Sequence, residues 1–446
     1  MPIDKIVVQR LGDELAPQLV ADRRDLHRHP ELGWTEVRTA SIVARRLLDA
    51  GWQVALGRQV HADESRMGVP DAAELTASYR RALQQGADPE LAPALADGFT
   101  GVVGTLLLGE GPTVGVRVDM DALPIHEAAT EDHRPHREGF ASINPGVMHA
   151  CGHDAHTAVG LALAQALPQL RDQLQGTIKL IFQPAEEGVR GARSMVDAGV
   201  VDDLDHVVGF HFSTGWTRSE MIAGNGGWAA TRKFDVRFVG RSAHAGGSPQ
   251  QGHNALLAAA IATQGLYAIP RHSEGATRVN VGRLVAGTGR NIIPPEAEMM
   301  IETRGATEEL SEYMFRRALA VIEGAALTQG CTWTVREMGG AQSAWSDAAL
   351  AERVRQAAER LGPMTIYEPE PRGGSEDFTY MMRRVQARGG LATSISLGAD
   401  PLGIGRNDPD RKRVLGGHTP FHDLDEEALP LAVRLLLMLV GDLLGS

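Results

Sequence analysis

The segment GVMHACGHDAHTA, residues 146–158, holds three histidines, an aspartate and one of the chain's two cysteines. Cys151 and His153 sit one residue apart, and a thiolate beside an imidazole is a donor pair for Zn²⁺ or a similar transition metal. More donors follow predicted strands. Asp119 and Asp121 come after TVGVRV, Glu186 and Glu187 after IKLIFQPA, and His211 lies near the end of HVVGFHF. Ligands of parallel α/β sheets sit beyond the carboxyl ends of the strands. Taken singly, each donor has a plainer reading. Cys151 could be a small buried hydrophobe, His211 a satisfied core histidine, and Glu186-Glu187 a solvated helix start. Their convergence on strand ends favours a metal site over all three. Adjacent glutamates permit a division of labour, in which one binds metal and the other stays free as general base. The metal acidifies a water from a pKa of about 15.7 toward roughly 7, and the free carboxylate takes its proton. Such a constellation hydrolyses amides or esters.

The elements that must position these groups can be read from periodicity. Residues 13–50 form two helices broken at Pro30, with Gly51 as the stop, followed by a strand in WQVALG. A polar, Ala- and Glu-rich stretch over 60–97 interrupts, with a helix near AELTASYRRALQQG. Strands resume at TGVVGTLLLG and TVGVRVD. A helix over 157–167, a strand over 176–183, a helix over 190–198 and a strand over 206–212 then alternate. Alternation of this kind predicts a mainly parallel sheet covered by helices. From about 224 the order is β-α-β-β-α-β, that of a ferredoxin-like module. The last hundred residues return to mixed α/β and end in a helix on DEEALPLAVRLLLMLVGDLL. The fold class is therefore α/β: a catalytic domain with a mainly parallel, mixed sheet, built from 1–223 and 339–446, carrying an inserted α+β domain over 224–338.

Composition excludes several functions. The 446-residue chain has a net charge of −12 and no long basic run, which argues against nucleic acid. Its one dense basic cluster, RNDPDRKR at 406–413, reads as a solvated loop. No apolar run reaches the roughly 18 residues of a membrane span, and the polar N-terminus is unlike a signal peptide, so a cytoplasmic protein is expected. Cys151 and Cys331 are too few and too far apart for a disulfide framework. GTGRN at 287–291 and GGSED lack the strand–turn–helix setting of a dinucleotide site.

The motifs RRDLHRHPELGWTE, VRVDMDALPI, MHACGHDAHTA, FQPAEEG, SAHAGG, GRNIIP, GSEDF and a His-x-Pro before Asp425-Glu426 occur in that order. In this the chain resembles the M20 metallopeptidase family, in its amidohydrolase branch, over nearly its whole length. The insert MGVPDAAEL…ALADGFTGVVGTL, the stretch HRPHREGFASINPGVMHACGHD and VQARGGLA at 385–392 point to a subgroup acting on N-acyl or N-aroyl acidic amino acids such as p-aminobenzoyl-glutamate. The resemblance implies two divalent ions, Mn²⁺ or Zn²⁺, held by Cys151, His153, Glu187, His211 and His418, with Glu186 as base. It implies Asp121 as a group behind the ligands, and a lid and dimerisation role for the inserted domain. There His244 reaches a partner subunit's site, and Asn291 and Arg304 hold the substrate's carboxylate end. Arginine grips a carboxylate with two hydrogen bonds, and an asparagine amide can donate to a developing oxyanion. His149 is expected behind the ligands and His156 in helix packing. The implied partner is a second copy or a related subunit. Indoleacetyl-aspartate-type conjugates or dipeptides are the alternative substrates, and a weakly active subunit of a two-subunit hydrolase is the alternative role. After His418 the branch's Ser-Pro-x-Phe is replaced by Thr419-Pro420-Phe421-His422, so the aromatic is shifted. A long loop, DPLGIGRNDPDRKRVLGG, precedes His418.

Overall fold

The computed structural model describes residues 3–370 and 374–445. The strands are β1 Gln53–Leu56, β2 Val102–Leu107, β3 Thr113–Asp119, β4 Thr177–Gln183, β5 His206–Ser213, β6 Glu220–Ile222, β7 Ala230–Val239, β8 Thr277–Ala286, β9 Glu296–Gly305, β10 Thr332–Ala341, β11 Thr365–Tyr367 and β12 Leu391–Gly398. They make an eight-stranded sheet in the order β1-β2-β4-β3-β5-β12-β6-β11 and a four-stranded sheet in the order β10-β7-β9-β8.

Strands β4, β3, β5 and β12 run parallel in the middle of the large sheet, and β2 and β6 join them antiparallel. The central strands are largely buried along both faces, as strands covered on both sides are. In β4, Ile178, Leu180 and Phe182 enter a core shared with the helices Lys5–Arg28, Val37–Asp49, His153–Ala166 and Ala428–Leu444. Ile181 points the other way, into a second core with Met195, Phe378 and Met381. Parallel register brings the carboxyl ends of β3, β4 and β5 to one rim.

Several boundaries differ from expectation. The first helix starts at Lys5, where the Asp4 carboxylate accepts the Ile6 N–H, and it runs through Pro17 without ending. The helix expected over 157–167 begins at His153 instead. Almost every side chain of that helix is buried, so no polar stripe marks its first turn. Gly152, at φ +90°, makes the left-handed turn into it from Cys151. Strands β6 and β11, three residues each, were not expected. Strand β10 continues to Ala341 through a register shift at Glu337/Gly339, where Gly339-Gly340 hides it from strand propensity.

The four-stranded sheet is antiparallel throughout and drawn wholly from residues 230–341. Phe234, Val236 and Phe238 pack under its two helices, Ala255–Tyr267 and Glu308–Gln329. Lys233 and Arg304, on β7 and β9, line cavities that face the large sheet. No helix among the described residues is long and apolar enough to cross a membrane.

Candidate metal centre

Residues distant in sequence meet at the rim. One ligand atom each from Cys151, His153 and His211 lie within 4.8 Å of one another, and so do atoms of Cys151, Glu187 and His418. The Cys151 sulfur belongs to both sets. It lies 3.4 Å from His211 Nε2, and His418 Nε2 lies 3.3 Å from Glu187 Oε1. Glu186 adjoins the same cluster, within the same limit of His153 and Glu187. The residues expected as ligands and base are thus brought together.

The backbone here is unusual. Ala185 and Val189, on either side of the glutamate pair, have φ of +52° and +60°, and His418 has +62°. A β-branched residue in the left-handed region is a genuine outlier, and such conformations persist where the surroundings over-determine them. Asp121 is one cause. Its carboxylate accepts the backbone N–H of Glu186 at 3.0 Å and of Glu187 at 2.9 Å. It also lies 3.3 Å from His153 Nδ1. The buried His153 Nε2 has no hydrogen-bond partner among the described residues and lies 3.8 Å from Asp119 Oδ1. An orphaned imidazole nitrogen beside a thiol, a carboxylate and a second imidazole is what a bound transition metal would satisfy, so the donor set fits such an ion.

His156 does more than pack. The Phe212 N–H donates to its Nε2 at 2.9 Å, so its Nδ1 carries the hydrogen and donates to Asp119 at 2.6 Å. Its ring lies 4.5 Å from that of His211. His149 is buried, neither ring nitrogen has a hydrogen-bond partner among the described residues, and burial pushes its protonation down to about 4.

Sequence reading assigned no role to the buried polar group beneath Glu186. Arg117 on β3 reaches Gln183 at 2.8 Å, Asp119 at 2.7 Å and Glu376 at 3.1 Å. Asp377 accepts from Gln183 at 2.7 Å and from the Gly191 and Ala192 N–H groups at 3.0 and 2.9 Å. Burial and the charges of Glu376 and Glu187 hold the Glu186 carboxyl well above the usual carboxylate range. GSEDF was visible as a motif, but nothing local in it shows that its acids face an arginine some 260 residues earlier.

A cavity of about 530 Å³ opens over the cluster, walled by Cys151, Glu186, His211, Lys233, Arg304 and His418 among others. A second, of about 660 Å³, shares Glu187, Lys233 and Arg304 with it and is lined by apolar groups including Leu32, Leu123 and Met300. Pro70 and Glu74 of the 60–97 insert also line it. Arg304 Nη2 is held by Glu302 at 2.9 Å. His244 and Asn291 line neither cavity. They are exposed and adjoin each other, the Ala245 N–H donating to the Asn291 carbonyl at 3.0 Å, while His244 Nδ1 accepts from Gly246 and Gly247. Within one chain, these two expected substrate-binding residues lie apart from the cluster.

A parallel sheet with carboxylate, thiolate and imidazole donors at its rim, beneath a small antiparallel domain, is the arrangement of a metal-dependent hydrolase. The Peptidase family M20/M25/M40 profile matches residues 115–441, and the chain belongs to that family. It is 48% identical to one of the subunits of p-aminobenzoyl-glutamate hydrolase from Escherichia coli (strain K12) over 435 residues, covering 95% of each chain. It is 47% identical to the indole-3-acetyl-aspartic acid hydrolase of Enterobacter agglomerans over 426 residues, again covering 95% of each. Among solved structures it is similar to the aminobenzoyl-glutamate utilization protein of Klebsiella pneumoniae, with TM-score 0.83, 42% identity and 98% of each chain covered. It is also similar to a dinuclear metal binding peptidase of the M20 family from Bacillus subtilis, with TM-score 0.64, 26% identity and 97% and 99% covered.

Proposed function

We propose that the protein is a dinuclear metal-dependent amidohydrolase that cleaves an N-acyl or N-aroyl acidic amino acid, with Glu186 as general base. The observation that carries this reading is the pair of donor sets sharing the Cys151 sulfur, with Glu186 beside both. Cys151, His153 and His211 would hold one ion, and Cys151, Glu187 and His418 the other. Bound divalent ions, Mn²⁺ or Zn²⁺, would supply Lewis-acid polarisation of the amide and acidification of water. Glu186 takes the proton of the attacking water and returns it to the departing amine. Asp121 fixes the Glu186-Glu187 backbone and engages His153 Nδ1, so that Nε2 would be the nitrogen offered to an ion. Arg304 binds the α-carboxylate of the amino acid, and the apolar cavity beside it receives the acyl or aroyl group.

The two relatives act, by their names, on conjugates of glutamate and aspartate, which supports an acidic amino-acid half. The exposed His244 and Asn291 favour a site completed across a dimer, by a second copy or by a related subunit. The negative charge and the two free thiols accord with a cytoplasmic setting.

The test is a panel of N-benzoyl glutamate, aspartate, glutamine and leucine offered to Mn²⁺- or Zn²⁺-loaded protein, followed by release of free amino acid. Turnover confined to, or strongest for, the acidic members is expected. No release from any of them, with metal bound, would overturn the reading.

A further inference from the structure

The cavity over the cluster contains two cations from the four-stranded sheet, and they are not equivalent. Arg304 on β9 is tethered to Glu302. Lys233 on β7 lies directly across from Glu302 in the strand pairing, yet Glu302 gives its carboxylate to Arg304 and to the Thr231 hydroxyl. Lys233 is half-buried and has no hydrogen bond or ion pair among the described residues. Lys233 lines both cavities beside Glu187. A partly desolvated ammonium with no partner, facing a cavity large enough for a small molecule, is a receptor for an anion.

We propose that Lys233 is a specificity-determining residue: it receives the side-chain carboxylate of the acyl-amino acid while Arg304 holds the α-carboxylate. This rests on the amidohydrolase reading above and names what selects its acidic substrates. The chemistry divides naturally between the two cations. The α-carboxylate keeps a fixed position relative to the scissile amide, which suits a planar guanidinium already braced by Glu302. The side-chain carboxylate stands one methylene further out in glutamate than in aspartate. A compact ammonium on a flexible four-carbon stem can follow it, so one site accepts both. Glu302, its cross-strand neighbour, is taken by Arg304, and Lys233 has no ion pair among the described residues.

The experiment compares wild type, Lys233→Met and Lys233→Arg on N-benzoyl-glutamate and on N-benzoyl-glutamine, which differ only in the side-chain charge. Steady-state kinetics is paired with calorimetric binding of the same two compounds to metal-loaded protein. A hydrogen bond to a charged group lost on one ligand predicts a fall in kcat/KM of about 10- to 100-fold for Lys233→Met on the glutamate compound, mainly through KM. The glutamine compound should change by no more than about threefold, and Lys233→Arg should restore most of the loss. Calorimetry should show wild type preferring the glutamate compound and Lys233→Met losing that preference. Equal losses on both compounds, or no loss on the glutamate compound, would overturn the assignment. If neither compound is hydrolysed, the amidohydrolase reading fails, while the binding preference still decides the role of Lys233.

Discussion

Cys151 stands where two donor sets overlap, so its substitution should be felt by both ions. Cys151→Ala is expected to lower the metal content of purified protein as well as turnover, because a thiolate ligand is removed. Elemental analysis decides it, and unchanged stoichiometry would return Cys151 to the role of a small buried hydrophobe. His61, away from the cluster, makes a different residue-scale prediction. The Gly101 N–H donates to its Nε2 at 3.0 Å, and its Nδ1 hydrogen goes to Ser194 Oγ at 2.7 Å, so both nitrogens are committed in the neutral ring. Burial and the charge of Arg66 push its protonation down to about 3, against 6.5 in the unfolded chain. Between those values the unfolded state binds one more proton than the folded state. This contribution to stability is therefore complete above the unfolded pKa and is lost as pH falls from about 6.5 toward 3. His61→Gln can keep both hydrogen bonds without titrating. Its stability should then depend less on pH in that window, by up to about 1.4 kcal/mol per pH unit. Urea unfolding of both proteins across the window is the check, and parallel curves would contradict it.

At the scale of elements, the helix bearing His153 is locked by charge. Arg23, on the first helix, is buried and reaches Asp154 at 2.9 Å, Asp423 at 3.0 Å and Glu426 at 3.2 Å. His27, one turn on, contacts Asp154 at 2.8 Å and Glu127 at 2.9 Å. Burial and Arg23 oppose its protonation, but these two carboxylates prevail and pull it up to about 9. Removing Arg23 strands Asp154 without its main counter-charge, so Arg23→Met should cost about 3–5 kcal/mol in urea unfolding. Adding Asp154→Asn should recover part of that loss, and fully additive losses would show that the two residues do not act as a pair. This network explains why RRDLHRHPELG reads as a motif although it supplies no expected ligand. Apolar runs mark β3, β4 and β5, and His, Cys and Glu follow them closely, so the succession of elements and the candidate donors were legible in the sequence, though the order of strands in the sheet was not. The sequence could not reveal the Arg117–Glu376–Asp377 group or the Arg23 lock, since each joins charges hundreds of residues apart. Nor could it reveal β6 and β11, because three residues carry too little periodicity to register.

At the scale of the molecule, β8 is an edge of the small sheet; Leu284 and Val285 on it are exposed, as are Leu256, Leu257 and Tyr267 on the helix Ala255–Tyr267. An edge strand with exposed apolar side chains is prone to pair with another chain. We propose that it does so with a second copy, bringing His244 and Asn291 to the other chain's cavity. Light scattering should then give a dimer for wild type and a monomer for Leu284→Glu/Val285→Lys, with loss of hydrolysis in the monomer. A wild-type monomer with full activity would contradict this. Glu186, as general base, must be dispensable for binding metal and indispensable for hydrolysis. The most direct measurement is the kcat/KM of Glu186→Gln on p-aminobenzoyl-glutamate, with metal content determined on the same sample. Two ions per chain and a fall of about 10²–10⁴-fold are predicted. Activity near wild type with both ions present would contradict the central claim.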